Sequence, residues 1–464
     1  MGLVAYGAYL PYFRLDRQAI GSALVVPAGK GTRAVASYDE DTTSMAVEAA
    51  RATVRAAAPT PEAIYFATSN PGYLDKTNAT AIHAALDLPA HAAAYDMLGS
   101  VRSGIGALRA ALDAGRPTLA VLSDLRTGLP GGGDERDGGD GAAAFLCTRD
   151  SAGSIAEPIA WASASAEFLD RWRVPGDRAS RQWEERFGEH AYVPVGQAAI
   201  TDALNQAGVT AASLDRVIVA GPHARAARRV ASALGARKEA VADDLSATIG
   251  NAGAAHVGLM LADALDRAKP DELIAVVSLA DGADVVILKT TAAIASHRGS
   301  PTVASQVAGG AHVPYATFLT WRGFLDREPP RRPDPESPAA PPSFRAESWK
   351  FAFTGSRCQA CGTRHLPPQR VCVKCHAVDQ MKPERLADVP ATIATFTVDR
   401  LAYSLSPPVV AAVIDFEGGG RFQCELTDVD PSAVKIGDRV EMTFRRLFTA
   451  NGVHNYFWKA RPKR

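Results

Sequence analysis

Four cysteines in the last third of the chain constrain its fold more than any other feature. They form two Cys-x-x-Cys pairs, Cys358/Cys361 and Cys372/Cys375, with ten residues between the pairs. Four thiolates are the complete ligand set of a structural Zn²⁺ ion, and such a closed site leaves no open position for chemistry. The spacing therefore predicts a zinc ribbon whose metal holds structure. Two redox pairs or a disulfide set are the alternatives, which we disfavour because we expect no secretory leader.

Length and composition limit the rest of the chain. At 464 residues it is too long for one ordinary domain, so two or three domains are expected. Lysine plus arginine and aspartate plus glutamate both total 50, which gives no general electrostatic case for binding nucleic acid or a membrane. No apolar run reaches the roughly 18 residues of a membrane span. We expect a reducing, cytoplasmic location, with Cys147 and Cys424 as small core residues.

A proline-rich segment marks the main domain boundary. Seven of the 14 residues from 329 to 342 are proline, a composition that argues against helix and central strand and favours an extended spacer. The predicted organisation is a large domain over residues 1–325, a linker over 326–345, the zinc ribbon over 346–383 and a last domain over 384–464.

Short β-rich runs alternate with alanine-rich helical stretches, such as residues 196–207, before the linker. This alternation predicts an α/β domain with largely buried sheets. The strand candidates are Ile64–Ala67, Leu119–Leu122, Val217–Ala220 and Ile274–Ser278. The second half repeats the element order of the first, which suggests a duplication.

Five short β-type runs follow the ribbon, separated by turn residues. They are Thr392–Val398, Val409–Phe416, Arg421–Leu426, Arg439–Phe444 and Tyr456–Ala460. Five strands in so short a region predict a small all-β barrel of the OB-fold type. The runs lack the basic and aromatic face that single-stranded nucleic acid requires, so we expect no nucleic-acid binding.

Several segments resemble the synthase branch of the thiolase superfamily, the 3-hydroxy-3-methylglutaryl-CoA synthases. They are residues 39–50 (DEDTTSMAVEAA), 139–144 (GDGAAA), 249–255 (IGNAGAA) and 281–284 (DGAD). The ribbon and barrel resemble the zinc-ribbon/OB-fold proteins that accompany thiolases and these synthases. The resemblance implies a five-layered αβαβα domain that acts on acyl-CoA, with coenzyme A as part of the substrate.

The same resemblance implies that the family's covalent machinery is missing. Val101 stands where the family carries its acyl-forming cysteine, with Ser100 beside it, and valine cannot be a nucleophile. Ser69 stands where the family carries an acid/base glutamate. Asn251, in contrast, matches the family's oxyanion-stabilising asparagine.

Other polar residues are candidates to compensate for these losses. The family's histidine falls on Ala220 or, with a short slip, on His223, which is therefore a candidate base. His256 is unusual in an apolar helix start and is either catalytic or a satisfied core residue. Arg225 and Arg228 are candidates to bind CoA phosphates, although a solvated helix side is as good an explanation. Ser100 is a further candidate for contacting the substrate.

Three functions compete on these grounds. A retro-aldolase acting on a 3-hydroxyacyl-CoA needs a base and oxyanion donors but no thiol, and we favour it. A synthase-like or thiolase-like acyltransferase needs the missing thiol. A non-catalytic acyl-CoA-binding scaffold for a partner thiolase needs neither. The resemblance also implies a homodimer, with another thiolase or a hydratase as a further candidate partner.

Overall fold

The computed structural model describes residues 1–56, 59–150, 153–297, 299, 301–331 and 333–463, so residue 332 of the predicted linker lies outside the described part. The first half of the α/β domain contains, in chain order, β1 (Gly2–Tyr9), β2 (Phe13–Asp16), α1 (Arg17–Leu24), β3 (Thr32–Val35), α2 (Thr42–Arg55), β4 (Ala63–Thr68), α3 (Ala79–Ala85), β5 (Ala93–Leu98), α4 (Ser103–Asp113), β6 (Thr118–Leu125), α5 (Gly133–Asp137) and β7 (Asp140–Thr148).

The second half and the C-terminal region continue the chain. The second half contains β8 (Ala156–Ser165), β9 (Arg171–Trp172), β10 (Arg181–Gln182), α6 (Glu185–Ala207), β11 (Arg216–Ala220), α7 (Ala224–Ala233), α8 (His256–Asp266), β12 (Leu273–Leu279), β13 (Gly282–Thr290), α9 (Val303–Ala308), β14 (Ala311–His312) and α10 (Tyr315–Trp321). The C-terminal region contains α11 (Ala340–Arg345), α12 (Glu347–Lys350), β15 (Thr354–Cys358), β16 (Arg364–His365), β17 (Met381–Arg385), β18 (Ala391–Asp399), β19 (Val409–Phe416), β20 (Arg421–Leu426), β21 (Arg439–Ala450) and β22 (Val453–Pro462).

A nine-stranded sheet, in the order β11-β12-β13-β8-β1-β7-β6-β4-β5, organises the α/β domain. A single residue pair, Leu3 with Ala156, joins β1 of the first half to β8 of the second half. Helices α4 and α8 pack between the halves, while α2 covers the outer face of the first half and α6 that of the second. The result is the five-layered αβαβα arrangement, which confirms the predicted fold class.

Helix α2 is buried on nearly all sides because it lies between the sheet and the C-terminal barrel. Its start is fixed by a capping box, in which Asp41 Oδ1 accepts from Ser44 N at 2.8 Å and Ser44 Oγ accepts from Asp41 N at 2.8 Å. Four of the eleven residues that follow Ser44 in α2 are alanines, whose small side chains allow this close packing on two sides. The two charged residues that α2 buries, Glu48 and Arg51, form an ion pair at 2.8 Å.

The C-terminal strands close into a barrel in the order β18-β19-β20-β22-β21, which confirms the OB-fold expectation. The barrel shares a hydrophobic core with α2, a core that includes Met45 of the helix and Phe444 and Trp458 of the barrel. Buried ion pairs cross the same contact, including Lys459 Nζ to Asp39 at 3.0 Å. Barrel and α/β domain therefore form one continuous packed unit.

The proline-rich segment contains a helix, contrary to expectation. Helix α11 spans Ala340–Arg345, with Pro341 and Pro342 in its first turn. Proline is tolerated there because the first N–H groups of a helix have no intrahelical acceptor to lose. The expectation of no helix is therefore wrong for residues 340–342, because proline is excluded from the interior of a helix and not from its first turn.

Candidate active site and metal centre

The loops that carry the four family positions meet at one place in the molecule. Ser69 follows the last residue of β4, and its Oγ donates to Asp124 Oδ2 at 2.6 Å. The same oxygen of Asp124 accepts from the backbone N of Ala254 at 2.9 Å, which ties the Ser69 loop to the loop after Asn251. At the start of α4, a Cβ on Gly104 would overlap the carbonyl oxygen of Ala254. The structure thus brings Ser69, the α4 start and the Asn251 loop together.

Asn251 is held rigidly in this cluster. Its Oδ1 accepts from Gly253 N at 2.9 Å, and its Nδ2 donates to the carbonyl of Gly221 at 2.7 Å. Gly221 follows Ala220, so this bond also brings in the end of β11. Because an amide nitrogen carries two donors, the bond to Gly221 leaves one N–H of Asn251 available for a ligand.

No thiol replaces the one missing at Val101, among the residues that the structure describes. Val101 lies just before α4, and Ser100 Oγ accepts from Arg102 N at 3.0 Å, so Ser100 supports the turn into the helix. Cys147 is fully buried on β7, where burial raises the pKa of its thiol well above the ordinary value. An acyl-enzyme on cysteine is therefore not available at this site.

Arg126 is a functional candidate that sequence reasoning missed. Its Nη1 donates to Ser69 Oγ at 3.2 Å, and Asp124 lies 4.0 Å away. A Cβ on Gly253 would lie 2.9 Å from Cδ of Arg126, so the side chain runs along the Asn251 loop. Nothing in the sequence pattern marks this arginine, because its side-chain contacts with Ser69 and Gly253 come from loops more than 50 residues away.

His223 caps a helix in the structure. Its Nδ1 accepts from Ala226 N at 3.1 Å at the start of α7, and its Nε2 lies 2.8 Å from the carbonyl of Glu185. These bonds use both ring nitrogens, with the proton on Nε2. The candidate base of the sequence argument thus has a structural task in this arrangement.

Asp170 lies beside His223 and was not singled out from the sequence. A side chain on Gly188 would overlap both the His223 ring and the Asp170 carboxylate, so the two groups lie against the same glycine. Asp170 is 6% exposed, and no donor of the described residues hydrogen-bonds to its carboxylate. Burial raises its pKa, while His223 and Arg171 lower it by less. A buried carboxylate with a raised pKa has the properties of a general base.

His256 is buried at the start of α8, 3% exposed. Its Nδ1 lies 3.4 Å from Ala252 N, and its ring also hydrogen-bonds to the backbone of Asp244. Burial lowers its pKa to about 4, so the ring is neutral near pH 7. These contacts favour the core-residue explanation that the sequence left open.

Arg225 and Arg228 lie on the exposed side of α7. Arg225 pairs with Glu185 at 2.9 Å, with both side chains more than half exposed. Arg228 has no carboxylate within salt-bridge distance among the described residues. A solvated helix side accounts for Arg225, and Arg228 remains a candidate for phosphate contact.

The four cysteines of the ribbon converge as the spacing predicts. Their Sγ atoms all lie within 4.8 Å of one another, with Cys358 to Cys375 at 3.6 Å and Cys361 to Cys372 at 3.5 Å. A tetrahedral ion with bonds of about 2.3 Å requires sulfur separations of about 3.8 Å, so the cluster fits Zn²⁺. Gly362 and His376, one residue past each pair, have φ of 77° and 58°, the turn that brings each pair of sulfurs together.

The barrel reaches the loop that carries Ser69. At the β21–β22 hairpin, His454 N donates to Tyr73 Oη at 2.7 Å, and His454 Nε2 lies 3.2 Å from the carbonyl of Gly72. The rings of Tyr73 and His454 are 4.7 Å apart. Only two residues separate Gly72 from Ser69, so the hairpin fixes one end of the candidate site.

A separate cavity of about 880 Å³ lies between α2 and the barrel. Most of its charged lining groups are already paired, for example Arg461 with Glu441 at 2.8 Å and with Glu48 at 3.1 Å. We place the candidate active site at Asn251 instead, because polar groups from four separate loops converge there.

Comparison with known proteins agrees with this architecture. Residues 204–288 match the family model described as the C-terminal part of 3-oxoacyl-[acyl-carrier-protein] synthase III. Residues 351–379 match the rubredoxin-like zinc ribbon domain of ChsH2, and residues 384–445 match its C-terminal OB-fold domain. Across the described part of the chain, no helix is long and apolar enough to cross a membrane.

Solved structures with the same fold include MvaS in complex with 3-hydroxy-3-methylglutaryl coenzyme A, with a TM-score of 0.56, 20% identity and coverage of 73% of this chain and 94% of that one. The 3-oxoacyl-[acyl-carrier-protein] synthase III of Aquifex aeolicus has a TM-score of 0.53 and 22% identity, covering 62% of this chain and 99% of that one. The protein is thus a thiolase-like α/β protein with a fused zinc ribbon and OB-fold barrel.

Curated relatives define the family more closely. The hydroxymethylglutaryl-CoA synthase of Pyrococcus furiosus is 31% identical over 295 residues, which cover 61% of this chain and 84% of the relative. The enzyme of the same name from Methanothermobacter thermautotrophicus is 29% identical over 350 residues, covering 70% of this chain and 99% of the relative. The chain belongs to the hydroxymethylglutaryl-CoA synthase family.

Proposed function

We propose that the protein is a carbon–carbon lyase that cleaves a 3-hydroxyacyl-CoA by a retro-aldol reaction without an acyl-enzyme. The observation that carries the proposal is the combination of Val101 at the α4 start with an intact Asn251 loop. The covalent step of the family is lost there, while a donor for an oxyanion remains. Relatives bearing the synthase name, and the CoA-bound structures of the same fold, support a CoA thioester as the ligand.

The proposed reaction needs a base but no nucleophile. The base removes the proton of the 3-hydroxyl group, the C2–C3 bond breaks, and its electron pair moves onto the thioester as an enolate. Protonation at C2 then gives a shorter acyl-CoA, and C3 leaves as an aldehyde or ketone. We assign the base to Asp170, because its carboxylate is buried and free of hydrogen-bond donors from the described residues, whereas both nitrogens of His223 are used. Asn251 supplies an N–H to the enolate oxygen.

The test is a cleavage assay on a panel of 3-hydroxyacyl-CoA thioesters, with products identified by mass spectrometry. We expect a shorter acyl-CoA to form with time. This activity should persist after the protein has been treated with iodoacetamide. Asn251→Ala and Asp170→Asn should each lower turnover by roughly 10² or more. Glu167→Gln, an exposed acid on the same segment as Asp170, is the matched control and should leave turnover unchanged.

The other two functions predict different results. An acyltransferase would release CoA from acetyl-CoA plus an acceptor thioester and would be inactivated by alkylation. A scaffold would bind acyl-CoA with no turnover in any variant. Either result would replace the lyase assignment.

A further inference from the structure

The guanidinium of Arg126 contacts Ser69 in the candidate site, and it forms no hydrogen bond with a carboxylate of the described residues. Asp124, at 4.0 Å, is the one carboxylate within salt-bridge distance among the described residues. Both oxygens of Asp124 already accept hydrogen bonds, Oδ2 from Ser69 Oγ and Ala254 N and Oδ1 from Leu125 N at 3.1 Å. The charge of Arg126 is therefore only partly compensated by the protein.

Neighbouring arginines add to this positive charge. Arg171 binds Asp134 through both terminal nitrogens, which uses that carboxylate. Arg173 binds the carbonyl of Ser69 and, at 3.3 Å, the Oδ1 of Asn70, and no carboxylate in the described part of the chain lies within salt-bridge distance of it. Burial and then the like charge of Arg171 lower the pKa of Arg126. Such crowding of cations is relieved by an anion.

The position of Arg126 relative to Asn251 indicates which anion. The Arg126 side chain is 12% exposed and runs against Gly253, whose N–H is bonded to Asn251 Oδ1. The main chain of Arg126 is fixed by Asp140, which accepts from Arg126 N at 2.9 Å. A fixed cation whose side chain runs along the Asn251 loop can stabilise charge that develops on an oxygen bound near that loop.

We propose that Arg126 is a catalytic residue that binds the thioester oxygen and stabilises the enolate formed when the C2–C3 bond breaks. This inference rests on the proposed function, and it adds a cation to the single amide donor at that oxygen. Ser69 acts as a positioning residue, because it holds the guanidinium through its hydroxyl while donating its own proton to Asp124. Arg173 adds positive potential from the other side of Ser69.

A binding experiment tests the proposal without requiring turnover. Carboxymethyl-CoA carries a carboxylate one carbon beyond the atom that bears the enolate oxygen, within reach of a cation that binds this oxygen, and CoA lacks it. By calorimetry, Arg126→Gln should weaken carboxymethyl-CoA binding at least roughly tenfold and leave CoA binding within about twofold. Arg126→Lys should give an intermediate value, and Arg149→Gln, which changes an exposed arginine after β7, should bind both ligands like the wild type. If Arg126→Gln weakens the binding of both ligands equally, or weakens the binding of neither, the proposal is overturned.

Kinetics give a second readout. Arg126→Gln should lower kcat by roughly 10² to 10³ with KM changed by less than about threefold, and guanidinium ions should partly restore the activity of Arg126→Ala. A raised KM with unchanged kcat would mean that Arg126 binds a ground-state anion, and would refute the enolate role. If the wild type binds carboxymethyl-CoA but cleaves no thioester, the lyase reaction is wrong, and the binding ratio alone decides the role of Arg126.

Discussion

At the scale of single residues, the site combines hydrogen-bond donors that are held in place with a few charged side chains that form no hydrogen-bonded ion pair in the described part of the chain. Asn251 is anchored at both ends of its amide, and Ser69 is anchored between Asp124 and Arg126. Anchoring of this kind lowers the reorganisation needed when charge develops on a substrate. The imidazoles near the site serve structure instead, and this leads to two predictions.

The first prediction concerns the helix cap at His223. Asparagine accepts a backbone N–H at an N-cap as well as any residue, but it cannot act as a base. His223→Asn should therefore keep turnover within a few-fold of the wild type, and His223→Ala should cost about 1 kcal/mol of stability. Thermal melting and the cleavage assay measure both. Loss of turnover in His223→Asn, with an unchanged melting curve, would return the base role to His223.

The second prediction concerns pH. Burial lowers the pKa of His256 to about 4, below its unfolded value of about 6.5. As the pH falls, His256 is therefore protonated in the unfolded chain before it is protonated in the folded one. The contribution of its neutral ring to the free energy of unfolding is fully present above about pH 6.5 and is lost as the pH drops towards 4. The loss should reach about 3 kcal/mol at pH 4. Urea titrations between pH 7 and 4 should show that the free energy of unfolding falls with pH in the wild type and falls less steeply in His256→Gln. Identical pH dependence in the two proteins would contradict this prediction.

At the scale of elements, agreement between sequence and structure depends on whether a pattern is local. The barrel strands were predicted to within a few residues, except that β21 runs on to Ala450, because alternating side chains and glycine turns are local signals. Helix α6 begins at Glu185, eleven residues before the predicted stretch at 196, and it contains Pro194 in its interior. Arg126 and Asp170 could not be predicted, because their environment comes from distant loops.

The ribbon is the element whose stability depends on an ion. Cys358→Ser should release zinc and unfold the ribbon, because metal binding and folding are coupled in small modules. Cys424→Ser, which changes a partly buried barrel cysteine outside the cluster, should keep one zinc per chain. Elemental analysis and melting curves with and without chelator provide the measurement. A chain that remains fully folded and metal-free would contradict a zinc ribbon.

At the scale of the whole molecule, the barrel is joined to the α/β domain by buried charge as well as by apolar packing. Burial raises the pKa of Asp39, but the charges of Lys459 and Arg445 and the hydrogen bonds from Ser37 and Lys459 together lower it by more, to about 2. Lys459 lies 3.0 Å from Asp39, and both side chains are nearly inaccessible. Pairs of this kind are costly to break from one side only.

The predicted homodimer stays a prediction, which light scattering would test.

Breaking that pair from one side should destabilise the whole chain. Lys459→Met should lower the free energy of unfolding by about 3 kcal/mol or more, because it leaves Asp39 buried without its main partner. The Lys459→Met/Asp39→Asn double variant should recover part of the loss. Arg421→Met removes the exposed pair with Asp415 in the same barrel and should cost less than about 1 kcal/mol. Equal losses for the buried and the exposed pair would refute this account of the interface.

The contact between His454 and the Tyr73 loop couples ligand binding at the site to the stability of the β21–β22 hairpin, and this coupling acts equally in both directions. A molecule that orders the Ser69 loop must also stabilise the β21–β22 hairpin, and anything that loosens the hairpin must weaken that molecule's binding by the same factor. Ligand affinity at Asn251 and protection of barrel amides from hydrogen exchange are therefore two measures of one coupling free energy.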